Sequence, residues 1–182
     1  MELLFDGKVS IIQDNEELEI RIKAPKNWFL IIFFGVYLLG LSIGLIPSIY
    51  AFLKDLNLVA LFIFIPFSLF YLFFLRIFLW NLTGLEILRF QNGQFLFKRK
   101  NALFAKQERF NLSEVKEFWV EQEKKSPLLL LYFKRKYLSI KSFGLIRFYF
   151  DGKLVKFGAS LNEREANYIV SFLKEKNILK NY

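Results

Sequence analysis

The chain has 182 residues and a formal net charge of +9; 54% of its residues are hydrophobic and 24 are phenylalanine. That length suits one soluble domain plus a small membrane part. With no Cys and no His, thiolate and imidazole nucleophiles, disulfides, zinc fingers, histidine-ligated haem and a histidine general base are excluded.

Residues 1–27 form a polar N-terminal segment. In it Leu18, Ile20 and Ile22 alternate with Glu19, Arg21 and Lys23, the pattern of a half-buried strand. Residues 9–12 are expected to pair with it across the polar turn 13–17. Asp14, Glu16 and Glu17 lack the spacing of an EF-hand, so they read as a solvated turn rather than a calcium site.

Residues 28–80 read as a two-helix transmembrane hairpin. Residues 28–53 carry no charge, and 28–50 alone span roughly 33 Å at ~1.5 Å per residue, against a hydrocarbon core of about 30 Å. Residues 56–80 form the second span, with Arg76 as their one charge, near enough to the end to snorkel to headgroups. Trp28 and Trp80 are placed as interface anchors on one side and Tyr50 on the other. Arg21, Lys23 and Lys26 before the first span, and the basic residues after the second, put both termini in the cytoplasm by the positive-inside bias. The N-terminal polar stretch and the lack of a cleavage pattern argue against a removed signal peptide. Gly40 and Gly44, continued by Ser48, form a small-residue face expected to pack the two spans together; the same face is suited to pairing two copies of the chain. Pro47 and Pro66 are expected to bend the spans. A charged pair in mid-membrane, which an ion-coupled transporter needs, is missing from both.

Residues 81–182 hold 20 of the 26 Lys and Arg and 10 of the 17 acids. Here the pattern becomes one of short strands. Asn92-Gly93 and Asp151-Gly152 each separate two apolar runs by two residues, a strong hairpin signal. Strands are expected over 85–91, 94–100, 103–110, 115–122, 128–137, 144–150 and 153–157. Asn162 with Glu165 makes a capping box, Leu161 and Ala166 a staple, and Ala166, Ile169, Val170 and Leu173 an apolar helical stripe. The fold class expected is therefore a membrane α-helical hairpin plus a mainly-β barrel or sandwich of about seven strands with a C-terminal amphipathic helix.

Three stretches carry a resemblance: Trp80-Asn-Leu-Thr-Gly84-Leu-Glu86, the late hairpin 146–152 followed by Phe157-Gly158, and the helix start Leu161-Asn-Glu-Arg-Glu-Ala166. Together they make the chain, from Lys26 onward, similar to bacterial two-pass membrane proteins with a C-terminal pleckstrin-homology-like (PH-like) domain. The resemblance implies a PH-like cytoplasmic domain and an inner-membrane location; its motifs are structural and imply no reaction.

Signatures of catalysis are missing from the sequence: it has no Gly-rich phosphate loop, nucleophile elbow or metal-ligand cluster. Glu86 and Glu108 are a conceivable carboxylate pair that nothing in the spacing demands. The reading is of a non-enzyme without cofactor. The two-residue turn Asn92-Gly93 is too short to build the basic pocket of phosphoinositide-binding PH domains. The strand after it returns toward the bilayer, which brings Lys98, Arg99 and Lys100 to the headgroups, and Lys124 and Lys125 by the same logic. The interleaved run 132–137 is explained by strand alternation, so nucleic acid is not expected as a partner. The function expected is a membrane-anchored interaction module that scaffolds a membrane or cytoplasmic protein partner, the alternative being non-specific contact with anionic lipid or a role in envelope homeostasis.

Overall fold

The computed structural model describes residues 2–14, 17–55, 58–100, 107–122 and 144–178. Three strands come first, β1 (Glu2–Leu4), β2 (Val9–Asp14) and β3 (Glu17–Lys23). Two long helices follow, α1 (Trp28–Asp55) and α2 (Leu58–Thr83). Then come β4 (Leu85–Gln91), β5 (Gln94–Lys100), β6 (Glu108–Asn111), β7 (Lys116–Val120), β8 (Ile146–Phe150) and β9 (Lys153–Phe157), and a last helix α3 (Glu163–Glu175).

Both long helices are apolar enough to cross a membrane. Only 22% and 17% of their apolar windows are buried against the rest of the chain, unlike the core helix of a soluble protein. With 28 and 26 residues they reach about 42 and 39 Å, longer than a hydrocarbon core of about 30 Å. Asn27 caps α1, its Oδ1 accepting from the Leu30 amide at 3.2 Å. The helices pack through a seam of Ile31, Phe34, Leu38 and Leu45 on α1, spaced three, four and seven residues apart, which keeps them on one face of the helix. Phe74 on α2 packs against Phe34 with tilted rings and against Tyr37 edge to face, and the Ser42 hydroxyl lies 3.4 Å from that of Tyr71.

The strands form two antiparallel sheets. One has six strands in the order β1-β2-β3-β4-β5-β6 and the other three in the order β7-β8-β9. The tight turns at Asn92-Gly93 and Asp151-Gly152 have positive φ at both residues, as a two-residue hairpin with right-handed twist demands. The expected strands near 9–12, 18–23, 85–91, 94–100, 115–122, 144–150 and 153–157 are present. Residues 108–111 form the described end of the strand expected over 103–110, and the strand expected over 128–137 lies outside the described residues.

The inner faces of both sheets and the apolar stripe of α3 share one core, rich in phenylalanine. Phe95 is fully buried at its centre, with its ring within 6.1 Å of Phe90, Phe110, Phe148 and Phe157. The capping box at Asn162 and Glu165 forms as expected. Val9, Ile11, Leu18, Ile20 and Ile22 belong to this same core. Strands β2 and β3, before the helices, thus share one sheet and one core with the strands that follow residue 81.

Candidate functional site

Strands β3 and β4 are neighbours in the sheet, paired from Glu17↔Gln91 to Lys23↔Leu85. Both long helices are thus inserted into what would otherwise be a single β-hairpin connection. At the point of insertion the Ala24 amide donates to the Gly84 carbonyl at 2.9 Å, and the Gly84 amide donates to the Trp80 carbonyl at 2.9 Å. Helix α2 therefore turns into β4 across one residue. A Cβ on Gly84 would sit 2.3 Å from the Trp80 carbonyl oxygen and 2.8 Å from Ala24 Cβ, so only glycine permits this close approach. Trp80 fills the joint and is 2% exposed. Its ring, expected at the interface, packs where the helices meet the sheet. Trp28 and Tyr50, at 64% and 69% exposure, remain free to face the interface.

The small-residue face is also placed differently from expectation. Cβ atoms added to Gly40 and Gly44 would meet nothing within 4 Å, and Ser48 returns its hydroxyl to the Gly44 carbonyl of its own helix at 2.9 Å. The glycine that lies against α2 is Gly35, whose added Cβ would sit 3.5 Å from the Phe78 ring. The Phe34, Tyr37 and Phe74 cluster decides which side of α1 faces its partner.

Alternation sorts the charges of the six-stranded sheet onto its two faces. On β4, Glu86, Leu88 and Phe90 point inward; on β5, Phe95 and Phe97 do. Arg99 follows the same parity. Its side chain is 12% exposed and its Nε donates to Glu86 Oε1 at 3.1 Å, while its Nη2 donates to the Lys156 carbonyl at 3.0 Å. Glu86 Oε2 accepts from the Gly158 and Ala159 amides at 2.6 and 3.2 Å. Arg99 is therefore not a headgroup contact; it is half of a buried ion pair that ties the two sheets together. Glu86 and Glu108 do not form a carboxylate pair, since Glu108 is exposed on β6 opposite Phe97.

On the outer face the register lines residues up in rows across β3, β4 and β5. The row nearest the helices is Lys23, Leu85 and Lys100, and the next is Arg21, Ile87 and Lys98. Farther out lie Glu19, Arg89 and Leu96, then Glu17, Gln91 and Gln94. Arginines hold every carboxylate on these strands: Arg89 binds Glu17 and Glu19, both at 2.6 Å, Arg21 binds Glu19, and Arg99 binds Glu86. Burial pushes the Glu19 carboxyl up, but hydrogen bonds from Arg89 and Arg21 outweigh it and hold the group below its usual range. Lys23, Lys98 and Lys100 are exposed and make no ion pair among the described residues. Lys124 and Lys125 lie outside the described residues. Sequence reasoning missed Lys23 as part of this array, though the strand before the first span and the strand after the second must emerge side by side from a helical hairpin.

Lys8, on the turn before β2, binds both oxygens of Glu165, 157 residues away in the chain, at 2.8 Å. The outer face of the three-stranded sheet carries Trp119 and Tyr149, their rings 5.2 Å apart, beside Arg147, which pairs with Glu121. Among the described residues no group of His, Cys, Asp and Glu is arranged to hold a metal ion.

No protein-family model matches the chain, and no curated protein matches it.

Proposed function

We propose that this protein is a membrane-anchored interaction module of PH-like plan, which holds a protein partner or assembly beside the cytoplasmic face of the cell membrane. The observation that carries the reading is the insertion of the two-helix hairpin between adjacent strands. A tether that merely keeps a domain near the membrane needs slack. Here the Ala24–Gly84 hydrogen bond and the buried Trp80 leave none on the α2 side, so the domain is mounted in one orientation. A fixed mount serves a surface that must be presented at a set height and angle. The basic residues on both sides of the spans support the cytoplasmic placement.

Because the chain has no Cys, single cysteines can report on each face. In native membranes, a photo-reactive label at Tyr149 or Leu154 on the three-stranded sheet, or at Leu96 on the six-stranded sheet, is expected to give one discrete protein adduct from one face and not the other. Diffuse labelling, or none from either face, overturns the proposal. A cysteine at Tyr50 should react with a membrane-impermeant maleimide added outside intact cells, and one at Lys153 should not; the reverse pattern overturns the orientation.

A further inference from the structure

We infer that Lys23, Lys98 and Lys100 form a binding site for the phosphate headgroup of anionic phospholipid, assembled from chain segments on opposite sides of the membrane hairpin. Lys23 ends the strand before the first span, and Lys98 and Lys100 end the second strand after the last. Pairing brings them together: both Lys23 and Lys100 are partners of Leu85, and Lys98 is the partner of Ile87. Strands lie about 4.8 Å apart, so Lys23 and Lys100 flank β4 at roughly 10 Å; the Lys23 ammonium rests beside Gly7, and its flexible stem must swing toward β4 to share a phosphate with Lys100. Between them Leu85 and Ile87 are half-buried and point to the same face, an apolar floor for the glycerol end of a lipid.

Three observations select a lipid headgroup as occupant. The first is charge: each carboxylate on these strands is taken by an arginine, so among the described residues the lysines make no ion pair. The second is height. Leu85 lies two residues beyond Thr83, the end of α2, so the first lysine row stands about 7 Å from the helix end, at the edge of the domain nearest the helices. The third is polarity along the sheet, because the acids Glu17 and Glu19 occupy the rows farthest from the helices. Each basic residue at an anionic surface strengthens attraction about fivefold.

The inference rests on the two helices spanning a bilayer and not on the identity of any protein partner. The test uses the full chain in nanodiscs of equal phosphatidylcholine and phosphatidylglycerol, released into detergent, with retained lipids counted by native mass spectrometry. Wild type is expected to retain phosphatidylglycerol preferentially, and the triple variant K23Q/K98Q/K100Q to lose that preference by at least fivefold. A control with the same change of charge, K153Q/R164Q/K174Q, alters exposed residues away from these rows and should keep it. No preference in wild type, an unchanged preference in the triple variant, or an equal fall in the control each overturns the site. A chain that fails to enter nanodiscs refutes the spanning itself; one that enters without lipid preference refutes this inference alone. Matching thermal melts of the three proteins establish that the exposed substitutions leave the fold intact.

Discussion

The Gly158 amide donates to Glu86 Oε2 at 2.6 Å across a separation of 72 residues. This contact joins the strand that leaves α2 to the turn that leads into α3. Gly158 has φ +79°, and a Cβ there would sit 2.7 Å from Leu161 Cδ1, so the backbone that offers its amide is itself open only to glycine. Arg99 holds the second oxygen of Glu86, and the carboxylate is thus the point where both sheets and the helix start converge.

Removing one partner leaves the other charge buried and uncompensated. Arg99→Met is expected to destabilise the domain by about 3–5 kcal/mol. Glu86→Leu combined with Arg99→Met should recover part of that loss, since the charge left behind is then also removed. Guanidinium unfolding of the detergent-solubilised protein, followed by the near-ultraviolet signal, measures both. A single variant that unfolds like wild type refutes the role assigned to the pair.

The pairing of Lys23 with Leu85 predicts a soluble form of the domain. Replacing residues 25–83 by Asn-Gly keeps the hydrogen-bonded Ala24–Gly84 pair as the flank of a two-residue turn like that at Gln91-Asn92-Gly93-Gln94. This variant should be monomeric, β-rich and cooperatively folded. Residues 81–182 alone should not be, because without β2 and β3 the core loses Val9, Ile11, Leu18, Ile20 and Ile22. Circular dichroism and the dispersion of amide resonances compare the two.

Gly84→Ala should strain the joint, since the added methyl meets backbone at 2.3 Å. Overpacking of that kind costs typically 1–3 kcal/mol. The expected sign is a lower melting temperature with new protease sensitivity near residues 24–27, while Gly40→Ala, on an open face of α1, leaves both unchanged.

Glu19 predicts acid sensitivity. Its carboxyl is held below the usual 4.5 by Arg89 and Arg21, against the opposing effect of burial. A depressed folded-state pKa adds stability above the unfolded value, and that share is lost as pH falls through the folded value. Stability should therefore decline below about pH 4.5 more steeply in wild type than in Glu19→Gln, which has no proton to gain at this site. Melting temperatures between pH 6 and pH 3 test it; parallel curves for the two proteins overturn it.

Several of these features were legible in the sequence because their causes are local. Asn92-Gly93 and Asp151-Gly152 encode positive φ in two residues, the Asn162–Glu165 box caps a helix within one turn, and the long apolar stretches identify themselves by length. The candidate site was only half legible. Lys98, Arg99 and Lys100 look like one basic patch, yet a strand has period two, and counting from Phe95 and Phe97 turns Arg99 inward to Glu86. Gly40 and Gly44 signal that a close approach is possible, whereas bulky Phe34, Tyr37 and Phe74 set which side of α1 is used. The union of β3 with β4 is a long-range pairing, and a charged run on one side of a membrane hairpin does not announce its partner on the other.

Placing two helices apolar enough to cross a membrane between two hydrogen-bonded neighbours has a consequence for biosynthesis. The ribosome delivers β3 first, then both hydrophobic segments, and β4 only afterwards. If one segment failed to insert, β3 and β4 would emerge in different compartments, and the sheet could not zip from Lys23↔Leu85 to Glu17↔Gln91. Leu88 and Phe90 would then stay uncovered and open to proteolysis. In a bilayer, closure of the sheet would thus require both helices to begin and end on one side, a constraint on topology set by the β3–β4 pairing.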